Sequence, residues 1–134
     1  MLDLPDVNVL VALALPKHEH HERAFAWWSA TKRFATTPIT EIGLVRILMQ
    51  PAVVGVVVSF QAAMQIIGSI TSDQRAIFIP DDVRIHELAG AQVSGTNQIT
   101  DLHLVMLARN HSAWLVTLDA RLVTTLEGSE AVLI

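Results

Sequence analysis

The sequence predicts an α/β fold with a mainly parallel sheet. Three observations point there. Short strand-like blocks alternate with helix-periodic blocks along the whole chain. Residues 114–118 form a continuous apolar run, as expected of a strand covered on both faces. No Gly/Ser linker, internal repeat or low-complexity run interrupts the alternation.

Taken in order, residues 1–4 read as a short strand entering Pro5-Asp6, and residues 7–14 as a buried helix interrupted at Pro16. Residues 19–31 read as a second helix, with Ala24, Phe25, Trp27 and Trp28 on its buried side. Residues 33–36 suit a second strand. Thr37-Pro38 then places a capping residue before a proline at the first helical position. Ile39, Ile42, Val45 and Met49 recur at helical spacing, and Pro51 ends that helix. The valine-rich residues 53–58 suit either helix or strand. A helix starting near Val57 or Ser59 carries Phe60, Ala63, Met64, Ile67 and Ile70 on one stripe. Residues 76–79 form a strand closed by Pro80, residues 83–89 a short helix, and residues 94–98 a polar loop. Residues 100–110 are apolar nearly all round, which predicts a buried helix. After the strand at 114–118 come a short helix at 120–126 and a last strand at 131–134.

The chain has 134 residues, enough for one domain spanning 1–134 and too few for a second core. Apolar residues make up 51%, so that core is sizeable. With no cysteine, disulfides and thiolate metal sites are excluded, which suits a reducing cytoplasm. Asp3 and Asp6 argue against a signal peptide, and the longest apolar stretch is far short of the roughly 20 residues that span a bilayer. The net charge of −4 argues weakly against a nucleic-acid partner, unless several acids are sequestered around cations.

In parallel sheets, ligands bind beyond the carboxyl ends of the strands. Asp6 follows the first strand, Glu41 lies in the first turn of the helix after the second, and Asp119 follows the strand at 114–118. Asp101 begins the buried helix that precedes that strand. A single acid in a first helical turn is ordinary, since it caps amides and complements the helix dipole. Four together are not. Two carboxylates about 5 Å apart repel by about 3 kcal/mol at an effective dielectric near 20, so the cluster needs protons, basic partners or cations. Oxygen-only ligands select hard cations such as Mg²⁺ or Mn²⁺, which activate water and stabilise phosphodiester transition states.

The local contexts are Asp6-Val7-Asn8-Val9, Thr40-Glu41-x-x-Leu44-x-Arg46, Thr100-Asp101-x-x-Leu104-x-x-Leu107-Ala108 and Thr117-x-Asp119-x-x-Leu122. In this order and rough spacing they resemble the motifs of PIN-domain ribonucleases, and among those the VapC-type toxins. The resemblance runs from Leu4 to the final strand. It implies a three-layer α/β/α domain on a five-stranded parallel sheet. It also implies Mg²⁺- or Mn²⁺-dependent RNA cleavage that leaves a 5′-phosphate and a 3′-hydroxyl. Asp6, Glu41, Asp101 and Asp119 take the four catalytic, metal-binding acidic positions; Asn8 and Thr117 match the polar companions that orient the carboxylates. The partners it implies are RNA, a cognate VapB-type antitoxin and, in a homodimer, a second copy of the chain. His103, two residues after Asp101, departs from the usual apolar or small residue, and the valines of 53–59 suit a dimer or partner surface.

Other residues admit two readings. His18, His20 and His21 fit no standard zinc spacing and are expected at an exposed helix start. Arg46 serves either a carboxylate or phosphate near the site or a surface ion pair, and Arg121 is similar. One of Trp27 and Trp28 should face the core, which leaves little room for base stacking. Asp81 and Asp82 are expected to form a turn and cap the next helix. A phosphoacceptor receiver needs a late lysine, and the only lysines are Lys17 and Lys32. A non-catalytic RNA-binding PIN domain typically lacks one of the four acids, and a flap nuclease needs insertions that this length excludes. A non-toxin PIN nuclease is the remaining alternative.

Overall fold

The computed structural model describes residues 1–126 and 131–134. Its strands are β1 (Leu2–Pro5), β2 (Phe34–Thr36), β3 (Ala76–Phe78), β4 (Ala113–Thr117) and β5 (Ala131–Leu133). They form one sheet in the order β3-β2-β1-β4-β5, and every pair is parallel. The chain therefore starts in the middle of the sheet, adds β2 and β3 on one side, and crosses to β4 and β5 on the other. The order reverses between β1 and β4. Their register is continuous, from Leu2 opposite Ala113 to Pro5 opposite Val116. At such a switch point the connections leave in opposite directions and open a crevice beyond the strand ends.

Side chains alternate across a strand, so neighbouring strand residues feed two cores. Phe34 and Val116 join one core, with Val9 and Leu10 of α1 (Val7–Ala14), Ala24 and Trp27 of α2 (His21–Ala30), Leu44 and Leu48 of α3 (Pro38–Leu48), and Ile67 of α5 (Phe60–Thr71). Leu4, Ala35 and Leu115 join the other, with Leu104 and Leu107 of α6 (Gln98–Asn110) and Leu122 of α7 (Ala120–Thr125). The result is helix layers on both faces of the sheet.

Three stripes differ from expectation, and tertiary contact explains each. In α2, Ala24 and Trp27 are buried but Phe25 is exposed; its ring instead stacks beside His21 at 5.9 Å. In α3 the buried row is Thr40, Leu44 and Leu48, leaving Ile42 and Met49 outside. In α5, Ala63, Ile67 and Ile70 are buried while Phe60 and Met64 remain exposed. The valine-rich stretch is neither a strand nor part of α5. Pro51 opens a one-turn helix α4 (Pro51–Val54), which ends at Gly55 in the left-handed region with φ 78°. Ser59 then caps α5, its side chain accepting from the Ala62 N–H. The helix expected at 83–89 is a single 3₁₀ turn, Ile85–Leu88. Among the described residues no helix is long and apolar enough to cross a membrane.

Candidate functional site

Asp6 stands at the switch point. Its N–H continues the β1–β4 ladder by donating to the Val116 carbonyl at 2.9 Å. Its side chain caps α1, with Oδ1 accepting from the Val9 N–H at 2.9 Å. Only 2% of the residue is exposed. Burial pushes its carboxyl above the usual range, and the nearby Asp119 charge adds to the push. Hydrogen bonding from the Thr117 side chain and from the Val9 and Asn8 amides opposes it.

Asp119 mirrors this arrangement at the end of β4. It caps α7, with Oδ1 accepting from the Arg121 N–H at 2.9 Å and the Leu122 N–H at 3.3 Å. Its own N–H donates to Thr117 Oγ1 at 3.0 Å. The buried Thr117 hydroxyl thus lies between the two acids, which gives its position a concrete geometry.

Asp101 faces both from the first turn of α6. Its carboxyl is pushed up to about 6, first by burial and then by the charges of Asp6 and Asp119. Among the described residues its carboxylate has no hydrogen-bond or ion-pair partner in the protein, and none of the four acids is ion-paired. The acid that simple topology left unplaced is the one on which the other two converge.

Glu41 is set apart. Its Oε2 accepts from the Thr36 hydroxyl at 2.8 Å, at the end of β2. It contributes to neither raised carboxyl. The structure therefore brings three acids into one field and ties the fourth to Thr36 at the end of β2. Among the described residues no three acidic or histidine side chains close around a single point. The donor set nevertheless fits a hard divalent cation: every donor is a carboxylate oxygen, among the described residues no side-chain cation pairs with the acids, and their mutual repulsion is what a cation relieves.

Two of the acids, Asp101 and Asp119, line a cleft of about 790 Å³ together with Asn8, Ile42, Arg46 and Thr96 among others; Asp6 and Glu41 are not on its wall. Asn8 reaches Asp6 through its backbone amide, while its side chain is exposed on the cleft wall. Arg46 is exposed on the same wall and forms no ion pair among the described residues, so the surface-bridge reading is not what the structure holds. Arg121 meets Asp119 only through its backbone. Sequence reading did not single out Thr96 and Asn97, which complete the wall beside Thr100; a polar loop carries no signal of what it faces.

Other expectations resolve elsewhere. His21 Nδ1 lies 2.8 Å from the Ala12 carbonyl and His18 Nδ1 accepts from the His20 N–H, so the histidines serve the α1–α2 turn. Trp27 is buried and donates to Asp3, and Trp28 lies under Arg75; both are at the amino edge of the sheet, away from the cleft. Asp81 and Asp82 do not cap a helix. They reach α6 instead, Asp81 to His103 Nε2 at 2.7 Å and Asp82 to His111 Nε2 at 2.9 Å.

Similar proteins agree with this architecture. No protein-family model matches the sequence. Ribonuclease VapC29 of Mycobacterium tuberculosis is 38% identical over 135 aligned positions, covering 100% of this chain and 97% of that protein. Ribonuclease VapC39 of the same organism is 42% identical over 127 positions, covering 91% of each. Two solved structures share the fold. VapC20 of M. tuberculosis, described as a sarcin–ricin loop cleaving toxin, has a TM-score of 0.67 and 12% identity, covering 90% of this chain and 94% of its own. VapBC2 from Rickettsia felis, bound to a DNA fragment from its promoter, has a TM-score of 0.68 and 14% identity, covering 100% and 99%. The chain belongs to the VapC family of PIN-domain ribonucleases, the toxin components of toxin–antitoxin systems.

Proposed function

We propose that the chain hydrolyses RNA phosphodiester bonds at the acidic cleft, with Mg²⁺ or Mn²⁺ held by Asp6, Asp101 and Asp119 and with Glu41 as the fourth acid. The observation that carries this reading is Asp101: a carboxylate with no partner among the described residues, pushed up to about 6 first by burial and then by two neighbouring acids. Such a group is strained as an anion in the bare protein and relieved by a cation. When bound, that cation supplies Lewis acidity and an activated water. The protein's own residues do the rest. Thr117 and the amides at the starts of α1 and α7 hold Asp6 and Asp119 in fixed orientations. Thr36 holds Glu41 in the same way. Arg46, on the cleft wall, offers a cation to the RNA backbone where the net charge of −4 provides no basic face.

A VapB-type antitoxin is the proposed protein partner, since R. felis VapBC2 couples the same fold to one. Exposed Val53, Val56, Val57, Phe60 and Met64 support homodimerisation as well. Two cores sharing one sheet support a single domain over residues 1–134. An RNA substrate and a cysteine-free chain suit the cytoplasm.

The decisive experiment uses purified, antitoxin-free protein. It should cut RNA with Mn²⁺ or Mg²⁺ and stop with EDTA, and Asp101→Asn should lose both cutting and Mn²⁺ binding measured by electron paramagnetic resonance. Cutting that persists in EDTA, or Mn²⁺ binding that survives in Asp101→Asn, overturns the assignment. Light scattering on the same sample reads the dimer.

A further inference from the structure

A second, smaller groove adjoins the acidic cleft. It is an open groove of about 340 Å³ between the loop after β3 and the first turns of α6, and it shares Ile39 and Thr100 with the cleft. Helical spacing explains the two neighbours. Asn97 and Asp101, one turn apart, face the cleft; Ile99 and His103, one turn apart, face the groove; Thr100 stands on the divide.

The groove has apolar walls and one polar pair. Ile39, Val83, Ile85 and Ile99 line it, and Ile85 and Ile99 are exposed large hydrophobics beside a charged cleft. At the pair, His103 Nε2 meets Asp81 Oδ1 at 2.7 Å. His103 is only 6% exposed, and its Nδ1 is buried with no partner. The Asp81 side chain is 27% exposed, and its Oδ2 has no protein partner among the described residues. An apolar slot with a few oriented polar atoms is the composition of a small-ligand site rather than of a solvated surface.

We propose that this groove receives a guanine base of the RNA next to the scissile phosphate, with the Asp81 carboxylate accepting from the Watson–Crick edge. This rests on the reading of the cleft as the RNA-cleaving site. Continuity with the cleft puts a nucleoside neighbour within reach. Single-stranded RNA is read by bases turned out into such pockets and hydrogen-bonded on their edges. Asp81 as a carboxylate offers acceptors only, and guanine alone among the four bases presents two adjacent donors, N1–H and the 2-amino group, on one edge. His103 is the positioning residue that orients Asp81, which gives its burial in α6 a reason that packing alone does not supply.

The test is methyl NMR on the full chain with isoleucine methyls labelled, titrated with guanosine, adenosine, cytidine and arginine amide. Nucleosides are used because they carry no phosphate to bind at the acids. Guanosine should shift the Ile39, Ile85 and Ile99 methyls, and the other nucleosides should not. Asp81→Asn should weaken guanosine binding by roughly tenfold or more, the scale of one lost base-edge pair; Ile99→Ser, which removes apolar contact from the groove wall, should weaken it by roughly tenfold and leaves the His103–Asp81 pair intact should Asp81→Asn fold poorly. In a randomised RNA, cleavage should show guanine enriched at one position beside the cut, and Ile99→Ser should lose that enrichment. Equal shifts from all nucleosides, no shift, or shifts from arginine amide alone overturn the proposal, the last assigning the groove to a protein tail. Guanosine binding in a chain that cuts no RNA supports the base site and removes the nuclease reading instead.

Discussion

At the amino ends of β1 and β3, the neighbouring acids Asp3 and Asp73 are both answered. Asp3 Oδ2 accepts from the Trp27 indole at 2.9 Å and the Thr31 hydroxyl at 2.8 Å. Asp73 is gripped by the Arg75 guanidinium, whose Nε and Nη2 lie 2.9 and 3.1 Å from its two oxygens. Arg75 also donates to the Trp28 and Thr31 carbonyls and lies 4.5 Å from the Trp28 ring centroid. At the carboxyl ends, Asp6, Glu41 and Asp119 have backbone amides or hydroxyls, Asp101 has neither, and among the described residues none of these four meets a side-chain cation. The same residue type therefore moves in opposite directions: Arg75 holds the Asp73 carboxyl below its usual range, while burial and two like charges push Asp101 up to about 6. One edge is built as structure. The other keeps an electrostatic deficit among Asp6, Asp101 and Asp119 that a proton or a cation relieves.

That contrast is open to direct attack. The largest effect is expected from Asp6→Asn or Asp101→Asn, which should lower RNA cutting roughly hundred-fold or more, the scale of losing one electrostatic contributor to a transition state. A stopped assay with labelled RNA checks this, and melting should show the fold retained. Next, Arg75→Ala should lower Tm by several degrees through lost bonds to Asp73, Trp28 and Thr31 while leaving Mn²⁺ affinity unchanged; a fall in Mn²⁺ affinity would join two edges that are here kept separate.

Gly43→Ala should cost about 1–3 kcal/mol in a denaturant titration. A Cβ there would stand 2.7 Å from Val7 Cγ2, on a β-branched side chain with little freedom to turn. Because Val7 follows Asp6, cutting should fall too.

The smallest effect is the pH dependence of the metal-free chain. Asp101 moves from 3.8 unfolded to about 6 folded, so between those values the native state binds more protons than the unfolded chain. Stability should fall as pH rises from about 4 to about 6, then level off, by on the order of 1 kcal/mol for a carboxyl this open to solvent. Asp6 acts in the same direction, and Asp73 in the opposite one. Asp101→Asn should flatten the fall, and Mg²⁺ should reverse it. Urea midpoints across pH 4–7 measure both.

Much of the fold was legible because it follows from local chemistry. Alternating strand and helix blocks, Pro38 after Thr37, and Asp6 and Asp119 directly after strands all depend on neighbours in sequence. Stripe assignments in α2, α3 and α5 were less legible. An exposed Phe25, Ile42 or Met64 has the same periodicity as a buried one, and the packing partner decides which row turns inward.

The opposed behaviour of the two edges divides along the same line. By itself the sequence determined the α/β class, the order of the acids and their places at strand ends and first helical turns, because turn and capping chemistry act over a few residues. Only the tertiary structure decided which acids share a field. Asp101 joins Asp6, 95 positions away, and Asp119, 18 positions away, while Glu41 turns to Thr36. It also decided that Asp81 reaches His103 rather than a cap, since two groups 22 positions apart meet only where the packing of the loop after β3 against α6 brings them together.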